Sequence, residues 1–260
     1  MAQTVLEHPS ASVAFEDYQP VLEQAYGQIP PGCTVTLLAD RGFDHKQLLQ
    51  WLNDHQWEWV IRLKCDVSLR LASGRLCCVE DLWPPQDEAY LYRHIEVYDE
   101  IEAHLATAHL STASEPWAVL SSSPPSLQTF EQYGQRFGGI EPHFKDYKSA
   151  GFDLARSRIR DAQRLTSLVM LLDIAHLIAV IVGILVVQAG RRARLDWHGE
   201  RGLSFLQLGL REIARRCYQR LGLPTLTPLP LRSPPKAYAM KHFQQYRESL
   251  MEFSRVVTFS

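Results

Sequence analysis

The 260-residue sequence lacks several patterns that would point to a common chemistry. It has no Gly-rich phosphate-binding loop, so the sequence does not indicate a nucleotide cofactor such as ATP or GTP. Its five cysteines form no CxxC pair, which favours reduced thiols over a zinc site or a disulfide framework. The serines at Ser121–Ser123 stand outside a G-x-S-x-G context, so a serine hydrolase has no support.

Charge of one sign is not in excess either. The chain carries 27 Lys and Arg against 29 Asp and Glu, a formal net charge of -2. This balance argues against a uniformly basic nucleic-acid coat, although it allows a local basic patch. The N-terminal residues MAQTVLEHPS contain no basic region followed by an apolar one, so we predict no secretory signal and a cytoplasmic protein.

One long apolar run, Leu165–Val187, raises the question of a membrane span because it is long enough to cross a bilayer. It carries Asp173 and His176 near its middle, and such groups are costly in hydrocarbon. Basic residues flank both ends, so no orientation is indicated. We therefore predict no membrane association and a helix buried on most sides inside an α/β core. A membrane-anchored protein is the weaker alternative.

The first quarter of the chain predicts a parallel strand–helix–strand unit. A helix is expected over about Asp17–Gln28, followed by a strand at Thr34–Ala39. Asp44 has the chemistry of an N-cap for the next helix, and Trp57–Leu63 alternates as a strand does.

Short alternating runs between residues 64 and 116 predict an inserted antiparallel β-sheet, after which Trp117–Ser121 returns to the core as a strand. The remainder is mainly helical. We predict four parts: 1–63, the first part of the core; 64–116, a β-rich insertion; 117–190, the rest of the core with a Glu-bearing helix and the long buried helix; 191–260, a helical extension with a Pro-rich linker.

Two stretches carry candidate chemistry. In TVTLLADRGF, Asp40 ends a predicted strand, the position at which open α/β sheets place ligand sites. In FEQYGQRFGGIEPHFKDYKSAGF, we expect a break at Gly138-Gly139 and Glu141 at the entrance of a new helix, with Lys145 and Lys148 on its face. Carboxylates from separate elements beside basic groups fit a divalent-metal site that meets a phosphate backbone. A solvated, salt-bridged helix face is the alternative.

These residues resemble the DDE-class transposases of bacterial insertion sequences, specifically the IS-four group. LADRGF is similar to the segment that holds the second catalytic Asp of that group. The Tyr-Arg-Glu-Lys signature is matched by Tyr133, Arg136, Glu141 and Lys148, except that the gap between Arg and Glu is one residue longer. The β-rich insertion also matches, and the resemblance covers about residues 8 to 210.

The resemblance implies an α/β fold with an RNase H-like core, an inserted β-rich subdomain and a helical C-terminal part. It implies strand cleavage and transfer at transposon ends that depends on Mg²⁺ or Mn²⁺, with Asp40 and Glu141 as catalytic metal ligands. The residues that would contact DNA are Tyr133, Arg136, Lys145 and Lys148, of which Lys145 is added from its helical position alone. The partner would be double-stranded DNA, bound in the nucleoid, and a homodimer stays open.

One departure bears on activity. The family's first Asp lies on an earlier strand, but the acids ahead of Asp40 are Glu7, Glu16, Asp17 and Glu23, and none lies in a strand-like run. We therefore expect an N-terminally truncated copy that is weakly active or inactive. The alternative is a non-catalytic DNA-binding relic that competes for transposon ends. The arginines between Arg191 and Arg220 either follow a DNA backbone or solvate helices, and the sequence leaves both open.

Overall fold

The computed structural model describes residues 2–7, 13–196, 202–225 and 253–260. The chain divides into two compact units. As far as they are described, the first contains Leu6–His143 and Leu250–Ser260, and the second contains Gln3–Val5 and Phe144–Ser249. The predicted Pro-rich linker lies largely outside the described residues.

The bounds of the elements are as follows. Helices are α1 (Phe15–Gln28), α2 (Lys46–Asp54), α3 (Leu127–Lys145), α4 (Ala162–Gln188) and α5 (Phe205–Tyr218). Strands are β1 (Thr36–Ala39), β2 (Glu58–Arg62), β3 (Ser68–Arg70), β4 (Leu76–Cys78), β5 (Glu88–Val97), β6 (Ile101–His109), β7 (Trp117–Ser121) and β8 (Arg255–Phe259). Short helical turns follow β1, β4 and α3. The mixed α/β class is the one predicted.

The eight strands of the described residues belong to one sheet, with the order β1-β2-β7-β6-β5-β3-β4 and with β8 beside β5. β1 and β2 are parallel, which confirms the predicted strand–helix–strand unit. The strands of the predicted insertion do not form a sheet of their own. β7 pairs with β2 on one side and β6 on the other, so the strands between residues 64 and 116 continue the same sheet.

Alternating side chains of the central strands pack into two apolar cores, one on each face of the sheet. Trp59 and Ile61 of β2 belong to the core that includes residues of α1 and α2. Val60, between them, belongs to the second core with Phe130 and Tyr133 of α3. Successive strand residues point to opposite faces, so this short apolar run is covered on both sides.

The structure corrects two local expectations. Asp44 does not cap α2; His45 takes the N-cap position, and the Asp44 carboxylate accepts a hydrogen bond from the Tyr98 hydroxyl. The expected helix break at Gly138-Gly139 is absent, so Glu141 lies within α3 and not at a helix entrance. Each glycine costs a helix about 1 kcal/mol. Burying Phe130 and Tyr133 on the preceding turns offsets that cost.

The long apolar helix is where the sequence predicts it, but it is not buried on most sides. α4 has a mean hydropathy of 2.7 over its most apolar window, and 28% of that window is buried. The buried residues lie in its C-terminal half, from Ala179 to Val186. Within the described residues, it is the one helix long and apolar enough to cross a membrane, which by itself is weak support for a span.

Candidate active site at the carboxyl end of the parallel strands

Asp40 directly follows β1, and its side chain organises the turn that comes next. One carboxylate oxygen, Oδ1, accepts a hydrogen bond from the backbone N–H of Gly42 at 2.9 Å, which caps the helical turn Arg41–Phe43. A Cβ at position 42 would lie 3.1 Å from that oxygen, so glycine suits the position. The acid, arginine and glycine thus form a turn that fixes a half-buried carboxylate at the strand end.

Two other elements of the first unit hold this turn. The ring of Phe43 packs edge-on against Tyr18 of α1, with centroids 5.5 Å apart. The Tyr98 hydroxyl, at the tip of the β5–β6 hairpin, donates to the Asp44 carboxylate. Burial raises the pKa of Asp44, although the bond from Tyr98 opposes that shift. Burial and the adjacent carboxylate together raise the pKa of the Tyr98 phenol.

The parallel pairing places Arg62 beside Asp40. Leu38 pairs with Val60 and Ala39 with Ile61, so Asp40 and Arg62 are the next residues on neighbouring strands. The Arg62 side chain is only 14% exposed. Sequence reasoning did not select it. The signal was available in WEWVIRL, where Arg62 holds the same position relative to Val60 as Asp40 holds relative to Leu38.

Glu115, in the loop before β7, joins two arginines at this end of the sheet. Its Oε1 lies 2.7 Å from a guanidinium nitrogen of Arg62, and its Oε2 lies 3.3 Å from one of Arg41. The positive charge of Arg62, and to a smaller extent that of Arg41, lowers the pKa of the Glu115 carboxyl. The guanidinium carbon of Arg62 also lies 5.7 Å from the centre of the Trp117 ring. Glu115 therefore draws together two positive side chains, one from the residue after Asp40 and one from the residue opposite Asp40 on β2.

The predicted site residues on α3 are placed unequally. Tyr133 is fully buried, and its ring packs edge-on against Trp117 at 5.8 Å. Its predicted contact with DNA would require this side chain to become accessible, and it stays a prediction. The side chains of Arg136 and Glu141 lie outside the described part, although the helix backbone around them is described. Glu141 is eight residues beyond Tyr133, or about 12 Å along the helix axis.

Lys145 and Lys148 belong to the second unit. Lys145 is the last residue of α3, and Lys148 lies in the wide helical turn Asp146–Ala150. Both side chains are exposed. The structure supports their availability to a partner, whereas their gathering with Asp40 and Glu141 stays a prediction.

A divalent-metal site is not complete among the described side chains. No three His, Cys, Asp or Glu residues in the described ranges lie close enough together to hold a metal ion. Asp40 is the one predicted ligand whose side chain is described, and Glu115 is engaged by two arginines.

Several polar residues of the second unit contact one another. In α4, Asp173 accepts a hydrogen bond from the Tyr147 hydroxyl, and His176 lies beside the Tyr147 ring at 6.3 Å. Several arginines of the 191–220 stretch pair with acids of the same unit: Arg192 with Asp196, and Arg215 and Arg216 with the buried Glu212. These pairings favour a structural role for those three arginines.

The first unit is thus an α/β sheet whose parallel strands end at a carboxylate flanked by arginines. Residues 16–178, more than half of the chain, match the model of the transposase DDE domain family. The chain belongs to this family, which confirms the resemblance to DDE transposases and makes DNA its substrate. Members typically use a divalent metal ion and are typically soluble and cytoplasmic. Among curated proteins, none matches the chain.

Proposed function

We propose that the chain derives from a transposase of the IS-four group, with an RNase H-like core, that cleaves and transfers DNA strands at the ends of an insertion sequence. The observation that carries the proposal is the position of Asp40. It is fixed at the carboxyl end of β1 by its own turn, with Arg62 and Arg41 beside it. A family match over residues 16–178 supports the same chemistry.

In this proposal Asp40 and Glu141 bind Mg²⁺ or Mn²⁺, and Arg136, Lys145 and Lys148 hold DNA phosphates. When bound, the metal would supply Lewis acidity for the attacking and leaving oxygens. Asp40 orients its carboxylate through the Gly42 hydrogen bond. The neighbouring guanidinium groups offset the negative charge that DNA brings, because arginine pairs well with phosphate oxygens. Assembly as a homodimer and association with the nucleoid stay predictions.

We further propose that these 260 residues on their own cleave DNA weakly or not at all. The described residues before β1, which are 2–7 and 13–35, form α1 and no strand. Glu16, Asp17 and Glu23 all lie within α1, as expected. A site that is short of one acid binds its ions weakly and positions the nucleophile poorly.

Cleavage of duplexes taken from the DNA on either side of the reading frame tests the proposal. With Mg²⁺ or Mn²⁺, we expect trace cleavage by the unchanged chain and none by Asp40→Ala, a loss on the order of 100-fold or more. Asp54→Ala, an exposed Asp→Ala change at the end of α2, is the matched control and should retain the trace activity. Robust turnover by the unchanged chain would refute weak activity, and cleavage by Asp40→Ala would refute the site.

The second candidate function is a non-catalytic protein that binds transposon ends and competes with an active transposase. The exposed side chains of Lys145 and Lys148 favour it, because such groups bind DNA phosphates without a metal ion. In this case Asp40→Ala should leave DNA affinity nearly unchanged, and no metal should elicit cleavage. Addition of the chain to an active relative should then slow that enzyme at the shared ends.

A further inference from the structure

The Glu115 bridge has a feature that a simple surface ion pair lacks. Its two carboxylate oxygens go to two different guanidinium groups, Oε1 to Arg62 and Oε2 to Arg41. The two arginines come from different segments, β2 and the turn after β1. Their charges are therefore brought to one point, beside Asp40, by a single two-oxygen anion.

We propose that Arg41 and Arg62 form a phosphate-binding site beside Asp40, which Glu115 occupies until a phosphate of the DNA backbone replaces it. A phosphodiester presents two non-bridging oxygens in a fork similar to that of a carboxylate, and arginine binds both groups through paired N–H donors. This assignment deepens the proposed function, because it names a contact that DNA would make next to the strand end.

Arg62 is positioned independently of Glu115. The same guanidinium nitrogen that meets Glu115 lies 3.4 Å from the backbone carbonyl oxygen of Pro116, and the group packs over the Trp117 ring. β2 lies between β1 and β7 in the sheet, so its backbone is held on both edges. Loss of the Glu115 contact therefore leaves a guanidinium already oriented for an incoming anion.

Glu115 is the member of the cluster that can be replaced at low cost. It lies in the connection between β6 and β7, so its displacement breaks no strand pairing. Its side chain is 45% exposed and that of Arg41 is 55% exposed, and exposed ion pairs contribute little to stability. Arg62 and Arg41 lower the pKa of Glu115, so mild acid does not release the arginines and a competing anion has to do so.

Charge balance favours the exchange. With Glu115 in place, two positive side chains share one carboxylate, so the cluster carries an excess of one positive charge. When a phosphodiester replaces the carboxylate, the local balance is unchanged and Glu115 gains full hydration. The site thus accepts a phosphate group in place of the Glu115 carboxylate without leaving the largely buried Arg62 uncompensated.

Two probes test the site: inorganic pyrophosphate, followed by titration calorimetry, and a 20-base-pair duplex of random sequence, followed by fluorescence anisotropy. Glu115→Gln keeps the shape and removes the competing charge, so it should tighten binding of both probes by about 3- to 10-fold. Arg62→Gln should weaken both by about 10-fold and reduce the salt dependence of duplex binding by about one phosphate contact.

The matched controls are Glu96→Gln and Arg70→Gln. Arg70 and Glu96 form an exposed pair at 3.9 Å on β3 and β5 of the same sheet, so these variants carry the same charge changes. They should leave binding of both probes within about 2-fold of the unchanged chain. If Arg62→Gln fails to fold, the exposed Arg41→Gln replaces it, with an expected loss of about 3-fold.

The inference is overturned if Glu115→Gln binds pyrophosphate no tighter than Glu96→Gln and the arginine variant binds it no more weakly than Arg70→Gln. This result would be separate from a failure of the proposed function. Cleavage that depends on Asp40, with binding indifferent to Glu115 and Arg62, refutes the phosphate site alone. The expected pyrophosphate pattern, without cleavage or preference for the flanking DNA, refutes the proposed function alone.

Discussion

The sheet of the first unit and the helix pair of the second differ in how completely they bury their apolar side chains. In the sheet, Trp59 on one face and Val119 on the other are both fully buried. In α4, the apolar window is more hydrophobic than a typical core helix requires, yet Leu171 is 60% exposed. High hydropathy therefore measures only the average preference of a segment for an apolar environment. Only a periodic pattern indicates which side chains are buried.

The helix pair depends on close backbone contact where the sheet depends on large side chains. A Cβ at Gly183 would overlap the backbone carbonyl of Phe205, and one at Gly209 would overlap that of Ala179. The two glycines, one on each helix, permit α4 and α5 to cross with their backbones touching. The apolar residues of α4 that are buried, Ala179 to Val186, lie at this crossing.

The largest effect is therefore expected from Gly209→Ala. The added methyl group meets backbone, which cannot rotate away, so the helices must separate and lose the packing of the crossing. We expect a loss on the order of 5 kcal/mol in the stability of the second unit. Thermal unfolding followed by circular dichroism, with limited proteolysis between α4 and α5, measures it.

Gly27→Ala is the control for that variant. Gly27 lies in α1, and a Cβ there meets nothing within 4 Å. Alanine is the better helix former, so this change should stabilise the chain by about 0.5 to 1 kcal/mol. Equal behaviour of the two variants would show that α4 and α5 do not cross at their glycines.

The contrast also explains which parts of the fold could be predicted. β1, β2 and α1 were predicted because period and turn signals act over a few residues. The glycine crossing could not be predicted, because the backbone that Gly209 contacts, at Ala179, lies in a different helix. No pattern near Gly209 in the sequence indicates that contact. The exposed face of α4 was missed because an all-apolar helix has no polar side to show where burial ends.

The residues of the candidate site also fall into two groups, those that local sequence indicates and those that depend on distant contacts. Asp40 could be found because the strand, the acid and the glycine are consecutive in LADRGF. Arg62 was missed although WEWVIRL carries the signal, because that signal has meaning only once β1 and β2 are known to pair in parallel. Glu115 could not be found, because its role depends on a loop 75 residues after Asp40. Asp44 was assigned to a local cap, whereas the partner that its carboxylate binds is Tyr98 from the distant hairpin.

An intermediate effect is expected from Tyr98→Phe, which removes the hydroxyl bound to Asp44. Asp44 is partly buried, and a carboxylate in such a place that loses a hydrogen bond costs about 2 kcal/mol. The bond lowers the pKa of Asp44 against the larger effect of burial, so its loss raises that pKa further. The variant then binds more protons when folded. Its deficit should be full at pH 7, where Asp44 is ionised, and smaller near pH 4.

Urea unfolding at the two pH values measures this difference. Tyr26→Phe is the control, because Tyr26 is 47% exposed and lies on α1. It should change stability by less than about 0.5 kcal/mol at either pH. A deficit of the same size at pH 4 and pH 7 would mean that Tyr98 does not bind the ionised form of Asp44.

The smallest effect is expected on the exposed face of α4. It can be compared with the sheet by replacing one leucine in each unit. Leu171→Ala should cost less than about 0.5 kcal/mol in solution. Leu120→Ala in β7, where the leucine is fully buried, should cost about 3 kcal/mol. Both values come from urea unfolding of the same preparation.

Substitution of Leu171 also distinguishes a helix that lies in water from one that spans a membrane. If α4 lies in water, Leu171→Ser should be tolerated, and the chain should stay in the supernatant after carbonate extraction. If lipid covers that face, the same serine should weaken retention in the membrane pellet, because a polar group is unfavourable in hydrocarbon. A large unfolding cost for Leu171→Ala in solution would instead show that protein covers this face, and α4 would then be as buried as the strands of the sheet.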